Sequence, residues 1–425
     1  MRFSRWSNTR WMATAILTAV LLAGAQTATA QENFYLKNGD RVVFYGDSIT
    51  DQRLYTTFVE TYVITRFPRL DVQFVHSGWG GDRVTGGGGG PIDLRLQRDV
   101  LPYRPTVMTI MLGMNDGGYR PYDAELFKTY STGYEHILDF VSKALPDVRY
   151  TLIQPSPFDD VTRAPNFEGG YNAVLLRYSD FVRELAHRRR ATLADMNTPV
   201  VQMLEKAKAA DAKMAENIIR DRVHPGPGGH LIMAEALLKA WNAPSLVTAV
   251  TLDAEGGRVT RSENTRVSDL KKGSSLTWTQ ADSALPMPLN TKDPVVALVL
   301  RSSDFVNALD QETLSVEGLT AARYTLKIDG EEVGTFSADE LRAGINLATL
   351  PTPMARQAQS VHDLTVIHNN LHFARWRQLQ VPLADNPLPH LQEAEDQIDR
   401  LEDEVIAQQR AAAQPVPRHY ELIPQ

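Results

Sequence analysis

The sequence predicts an α/β protein: a parallel sheet with helices on both faces, then a smaller, mainly β C-terminal region and a C-terminal helix. Three observations point there. Short apolar, β-branched runs alternate with helix-spaced segments from Arg41 to Trp241, the pattern of successive βαβ units. The run from Val107 to Leu112 is nearly continuous in apolar character, which suits a strand covered on both faces. After about Ala243 the long helical periodicities give way to short β-like runs and turn signals.

Taken in order, Arg41 to Tyr45 is the first strand and runs into Gly46-Asp47-Ser48. Leu54 to Phe67 has helical spacing and stops at Pro68, which cannot continue a helix. Val72 to Val75 is the second strand, and a glycine-rich loop follows from Gly78 to Gly90. A helix over Ile92 to Val100 precedes a strand over Thr106 to Leu112. A helix over Tyr130 to Ala144 precedes a strand over Arg149 to Gln154. The helix from Tyr171 to Arg188 leads to a short strand from Ala191 to Ala194. Met203 to Met214 and Gly229 to Trp241 read as helices.

From Val247 to Gln380 the chain reads as mainly β. Tyr324 to Ile328 and Val333 to Phe336 flank Asp329-Gly330, the signal of a two-residue hairpin turn. Leu391 to Ala411 places Ile398, Leu401, Val405 and Ile406 on one face of an amphipathic helix. Three prolines mark the tail after Gln414 as extended. The expected division is a signal peptide at 1–30, a catalytic domain at 31–243, a β accessory region at 244–385, and a helix with its tail at 386–425.

Composition narrows the function classes. The 425 residues are 43% hydrophobic and 22% charged, enough for a sizeable core. A net charge of −7 argues against a nucleic-acid partner, which needs a basic face. Arg2, Arg5 and Arg10, the apolar run from Trp11 to Ala25, and Ala28-Thr29-Ala30 have the order of an export signal with its cleavage site. That run is shorter than a membrane span needs, so the expectation is export to the periplasm or the exterior, with no stable membrane span. With no cysteine, thiol catalysis and thiolate metal sites are excluded.

Four short stretches carry chemistry. Ser48 ends the first strand, where an open parallel sheet binds its ligands. Asp221 and His224 share one turn, so the carboxylate can fix the imidazole tautomer and leave the other nitrogen to take a proton. Asn115 follows the buried strand and can donate to an oxyanion. Gly81, in Gly80-Gly81-Asp82, lets a backbone N–H approach a ligand without a Cβ in the way. Singly, each has a bland alternative as a helix cap, a surface turn or a loop glycine. Together they form a nucleophile, a base, an orienting acid and three oxyanion donors counting the Ser48 N–H, a set suited to acyl transfer from an ester to water.

This ordered set resembles the SGNH hydrolase superfamily, also called GDSL esterases. Gly46-Asp47-Ser48-Ile49-Thr50 is similar to its first block, Gly81 to the second-block glycine, Gly113-Met114-Asn115-Asp116 to the third, and Asp221 to His224 to the last. The resemblance covers about Arg41 to Trp241 and implies a flavodoxin-like three-layer α/β/α fold with metal-free ester hydrolysis and no cofactor. By position it makes Ser48 the nucleophile, with Gly81 and Asn115 completing the oxyanion hole. His76 departs from it, standing where many members carry asparagine.

Other residues carry weaker signals. His230, at a helix start, reads as structural, and a metal site from Asp221, His224 and His230 would leave Ser48 and Asn115 without a role. Trp79 and Gly86 to Gly90 are candidates to border the cleft; Tyr119, Tyr122, Phe158 and Tyr171 are candidates to line it or to pack in the core. The expected substrate is an O-acyl, above all O-acetyl, ester on a small molecule or polysaccharide. A lysophospholipid or aryl ester, or a glycan-binding envelope protein on a non-catalytic scaffold, are the alternatives.

Overall fold

The computed structural model describes residues 33–386 and 388–425, so the expected signal peptide lies outside the described residues. The first sheet holds strands β1 (Asp40–Gly46), β2 (Val72–Gly78), β3 (Val107–Met111), β4 (Arg149–Ile153) and β5 (Thr192–Ala194). All pairings are parallel, in the order β2-β1-β3-β4-β5. β3 is buried along its whole length, because helices cover both faces.

Those helices are α1 (Ser48–Asp51), α2 (Leu54–Arg66), α3 (Ile92–Asp99), α4 (Ala124–Ala144), α5 (Gly170–Arg189), α6 (Thr198–Ala210) and α7 (Pro227–Ala240). α4 starts six residues before the expected Tyr130, because Asp123 caps it by accepting from the Glu125 and Leu126 N–H groups. Such a cap contributes about 1 kcal/mol and overrides the polar character of the first turn. This strand order reverses direction between β1 and β3, and the crevice opens beyond the strand ends at that switch. Ser48 follows β1 and Asn115 follows β3, so both stand at its mouth.

The strands after residue 243 form two further sheets. One takes the order β13-β10-β6-β7, with β6 (Leu246–Asp253), β7 (Arg258–Glu263), β10 (Gln311–Glu317) and β13 (Ile345–Asn346). The other is antiparallel, in the order β8-β9-β14-β11-β12. It holds β8 (Thr265–Lys272), β9 (Leu276–Asp282), β11 (Arg323–Ile328), β12 (Glu331–Ser337) and β14 (Arg418–Pro424). Asp329 and Gly330 both take positive φ between β11 and β12, as the hairpin turn requires. The tail is thus a central strand, with Tyr420 opposite Trp278 on one side and Ile328 on the other.

The stretch from 244 to 385 is less purely β than the sequence pattern predicts. It contains α8 (Pro294–Arg301), α9 (Phe305–Leu309), α10 (Ala338–Ala343) and a 21-residue helix, α11 (Pro353–Phe373), continued by a π-helical segment at Ala374–Gln380. α11 buries Thr365, His368, Asn369 and His372 as well as apolar residues, so its inner face is partly polar and an apolar periodicity misses it.

α11 and α12 (Leu391–Ala412) pack on α2 through a buried polar seam. Glu60 of α2 accepts from His368 Nδ1 at 2.9 Å and Gln409 Nε2 at 3.1 Å, and Asn369 donates to Thr57 Oγ1 at 2.8 Å. His76, the departure from the family pattern, belongs to this seam. Its ring lies 3.5 Å from Glu60, and its carbonyl accepts from His372 Nε2 at 3.2 Å. Arg66, buried at the end of α2, donates to the carbonyls of Pro244, Leu246 and Leu309 and fastens the second region to the first.

Candidate active site

Ser48 sits at the first position of α1, and Asp47 caps that turn by accepting from the Ile49 N–H at 3.0 Å. The turn fits only because Gly46 and Gly78 lack side chains. A Cβ at Gly46 would lie 2.7 Å from the Met111 carbonyl, and one at Gly78 would lie 2.8 Å from the Asp51 Cα. Both contacts are closer than real Cβ atoms tolerate.

His224 reaches the serine from the turn before α7. Its Nε2 lies 2.8 Å from Ser48 Oγ, and its Nδ1 lies 2.6 Å from Asp221 Oδ2. The other Asp221 oxygen accepts from the Val223 and His224 N–H groups at 3.0 and 2.8 Å. Arg222 holds positive φ in this turn; its carbonyl accepts from the Asp159 N–H at 2.9 Å, and its guanidinium donates to Asn166 at 3.0 Å. The turn bearing Asp221 and His224 is therefore anchored to the loop after β4. Arg222 was invisible in the sequence as anything but a spacer between Asp221 and Val223.

Three aspartates near the serine are shifted in different directions. Burial pushes Asp47 and Asp116 up to about 7, opposed in each by a backbone N–H, from Ile49 and Val84 respectively. Asp221 is half exposed. Its partial burial acts upward too, but the His224 N–H, the His224 ring and the Val223 N–H together hold it below the usual carboxylate range. Asp221 is thus the carboxylate that stays an anion at neutral pH beside the imidazole.

The donors converge from the other two strand ends. Gly81 takes φ +78°, and a Cβ there would meet nothing within 4 Å. Among the described residues, the N–H groups of Ser48 and Gly81 have no intramolecular acceptor. Asn115 Nδ2 donates one hydrogen to the Asp82 carbonyl at 3.0 Å, while Tyr119 OH donates to Asn115 Oδ1 at 2.8 Å. The amide is gripped at both atoms, and its second N–H hydrogen is available. Tyr119 stays protonated, because burial pushes its hydroxyl up to about 12 and Asp47 and Asp221 push the same way.

Beneath the Gly81 turn lies Arg95, fully buried. It donates to Asp82 Oδ2 at 2.8 Å and the Ser77 carbonyl at 2.9 Å, and it pairs with Asp99. Gly89 lets the glycine run lie against Trp79, whose ring carbons a Cβ there would meet at 2.7 and 2.8 Å. Tyr171 is core: its hydroxyl donates to the Met114 carbonyl at 2.6 Å. Phe158 is buried beside it, while Tyr122 packs on Phe127 at 5.8 Å.

His230 stands apart from the serine and histidine pair. Its Nδ1 accepts the Tyr55 N–H at 3.2 Å, and its Nε2 lies 2.9 Å from Gln52 Oε1. Burial lowers its pKa to about 3, so it is a neutral cap on the first turn of α2. With both nitrogens engaged, it has no lone pair for a metal shared with Asp221 and His224. Among the described residues, no helix is long and apolar enough to cross a membrane.

A cleft of about 130 Å³ adjoins Asn115 and is lined also by Arg83, Thr85, Asp116 and Arg120. Leu126 and Tyr130 add apolar surface to its walls, and its size is modest.

Residues 44–232 match the GDSL-like lipase/acylhydrolase family. An acetylxylan esterase of Geobacillus stearothermophilus is 25% identical over 221 residues, which span 48% of this chain and 94% of that protein. The solved structure of a gut microbial diltiazem-metabolizing enzyme is 26% identical with a TM-score of 0.79. It covers 93% of this chain and 100% of its own, so the likeness extends through the C-terminal sheets and helices. With its flavodoxin-like strand order and ordered blocks, the stretch 44–232 is an SGNH hydrolase domain of the GDSL-like lipase/acylhydrolase family, and the likenesses support a carboxylic ester hydrolase.

Proposed function

We propose that the protein cleaves O-acyl esters, above all O-acetyl esters, by a two-step serine mechanism. Ser48 Oγ attacks the ester carbonyl carbon as its proton passes to His224 Nε2. The carbonyl oxygen becomes an anion, held by the Ser48 N–H, the Gly81 N–H and the free Asn115 amide hydrogen. Asp221 stabilises the imidazolium and keeps its Nδ1 protonated. His224 then returns the proton to the leaving alkoxide, and the C–O bond to the alcohol breaks. Water repeats the sequence through His224, frees the acid and restores Ser48. The observation that carries this reading is the chain Asp221–His224–Ser48, with contacts of 2.6 and 2.8 Å already in hydrogen-bond reach.

One observation supports a short acyl group: the relative from Geobacillus stearothermophilus is named for an acetylated polysaccharide. We place the natural substrate among acetylated carbohydrates and small acetate esters, reached after export. Turnover of p-nitrophenyl acetate by the wild type but not by Ser48→Ala tests the chemistry. An acetate-release screen over acetylated glycans and lysolipids tests the substrate class, and release only from lysolipids would overturn the carbohydrate assignment.

A further inference from the structure

The π-helical segment Ala374–Gln380 lies beyond the family-matched residues 44–232, yet it touches the site. Its Arg377 has its guanidinium carbon 3.1 Å from the centre of the Trp79 ring. Nη1 of the same side chain donates to the Gly78 carbonyl at 3.4 Å and lies 3.7 Å from Asp51 Oδ1. The second Asp51 oxygen accepts from the Gly80 N–H at 3.1 Å. Trp376 sets its ring edge-on to Trp79 at 5.7 Å and donates from Nε1 to Asp99 at 2.6 Å.

These contacts span two parts of the candidate site. Asp51 ends the short helix that Ser48 begins, and Gly78-Trp79-Gly80 leads directly into Gly81. The turn at Gly80 and Gly81 has little packing of its own. A Cβ at Gly81 would meet nothing within 4 Å, and one at Gly80 only Asp51, at 3.6 Å. Its position is therefore set by what holds Trp79 and Asp51. Arginine suits that task, because a planar guanidinium can stack on an indole while its edge donates to a carbonyl and a carboxylate. π-helical turns inside longer helices recur at functional sites, and this one is what aims Arg377 at the loop.

We infer that Arg377 is a positioning residue that holds the Gly81 N–H in register with Ser48, which makes the C-terminal region part of the catalytic apparatus. The inference rests on the proposed roles of Ser48 and Gly81. A shift of the Gly81 N–H leaves the alcohol portion of the substrate untouched and weakens only the grip on the developing anion. The loss therefore falls on kcat rather than KM.

The test uses the full chain with p-nitrophenyl acetate. Arg377→Ala is expected to lower kcat by about 10- to 100-fold with KM within about twofold. Millimolar guanidinium, filling the vacated place, is expected to recover part of that loss in Arg377→Ala and to leave the wild type unchanged. Arg377→Lys keeps the charge and the stem without the stacked plane, and is expected to lose at least about fivefold in kcat. A folded Arg377→Ala with kcat within about twofold of wild type overturns the inference, as does a loss that guanidinium does not touch. Should Arg377→Ala fail to fold, a fully active Arg377→Lys overturns it. A Ser48→Ala variant that keeps wild-type turnover fails the underlying mechanism separately, whatever Arg377 does.

Discussion

Replacing Asn115 by alanine removes one donor and leaves two former partners behind, and the structure assigns each a different consequence. The amide spends one Nδ2 hydrogen on the Asp82 carbonyl at 3.0 Å and receives the Tyr119 hydroxyl on Oδ1 at 2.8 Å. The second Nδ2 hydrogen is the one proposed for the oxyanion. Losing one such donor costs about 10²–10³ in kcat, or about 2.7–4 kcal/mol of barrier. Asp82 is fully buried, so its carbonyl is left without a donor, at about 1–3 kcal/mol of folding stability. Tyr119 is 43% exposed, and its hydroxyl can turn to water at little cost.

The assay is steady-state hydrolysis of p-nitrophenyl acetate together with a denaturant melt. The expected outcome is a folded protein, destabilised by about 1–3 kcal/mol, whose kcat has fallen far more than its KM has risen. Tyr119→Phe serves as the graded companion. It keeps the amide and loses one neutral hydrogen bond, worth about 1 kcal/mol, so kcat falls only about fivefold. A folded Asn115→Ala with kcat within about threefold of wild type, against the expected hundredfold or more, would refute the role given to the amide and leave Asn115 as a brace for the loop.

Three further outcomes follow from the structure. Asp221→Asn keeps an acceptor for the Val223 and His224 N–H groups but presents an amide N–H to His224 Nδ1, forcing the wrong tautomer. Steady-state kcat is expected to fall by roughly 10⁴-fold, and a drop under about tenfold would remove the tautomer argument. Gly78→Ala puts a Cβ 2.8 Å from the Asp51 Cα and displaces the helix bearing Ser48; kcat drops while the circular dichroism spectrum stays native, and an unchanged kcat would show that the turn yields freely.

The seam between α2 and α11 predicts a pH window for stability. Burial opposes charge on His368, but Glu60 and Glu402 outweigh it and raise the ring to about 10, while burial of Glu60 is outweighed by His368 and His76, which lower it to about 2. From ordinary values of 4.5 for the carboxyl and 6.5 for the ring, the pair stabilises fully between those two values. Its contribution fades as pH falls from 4.5 towards 2, because protons bind the unfolded carboxylate first. It fades again as pH rises from 6.5 through 10, because the unfolded ring loses its proton first. Melting temperatures of the wild type and His368→Gln, compared from pH 5 to 10, should converge at the alkaline end. A constant difference across that range would show that His368 is not charged in the fold.

The candidate site was legible in the sequence because its parts are short and local. A glycine-bounded serine after a strand, an asparagine after a buried strand, and an aspartate three residues before a histidine each declare themselves within one turn of chain. The parallel sheet was legible for a related reason, since strands covered on both faces need apolar runs such as Val42 to Tyr45. Contacts between residues far apart in the chain left no local signal. Arg377 meets Gly78 across 299 residues, and His368 meets Glu60 across 308. α11 was missed although Thr352 and Pro353 form an ordinary cap and first position; its buried face holds histidines and an asparagine, which a search for apolar stripes counts as surface. The role of β14 was hidden because pairing is decided by register with β9 and β11, not by its seven residues alone.

The place of β14 has a consequence for how the sheet assembles. Arg418–Pro424 sits at the middle of a five-stranded sheet and joins two otherwise separate hairpins. Until this strand docks, β9 and β11 each present an unsatisfied edge able to pair with a neighbouring chain. Deleting Arg418–Pro424 would therefore open the sheet at its midline, and the product would be aggregation-prone out of proportion to the seven residues lost.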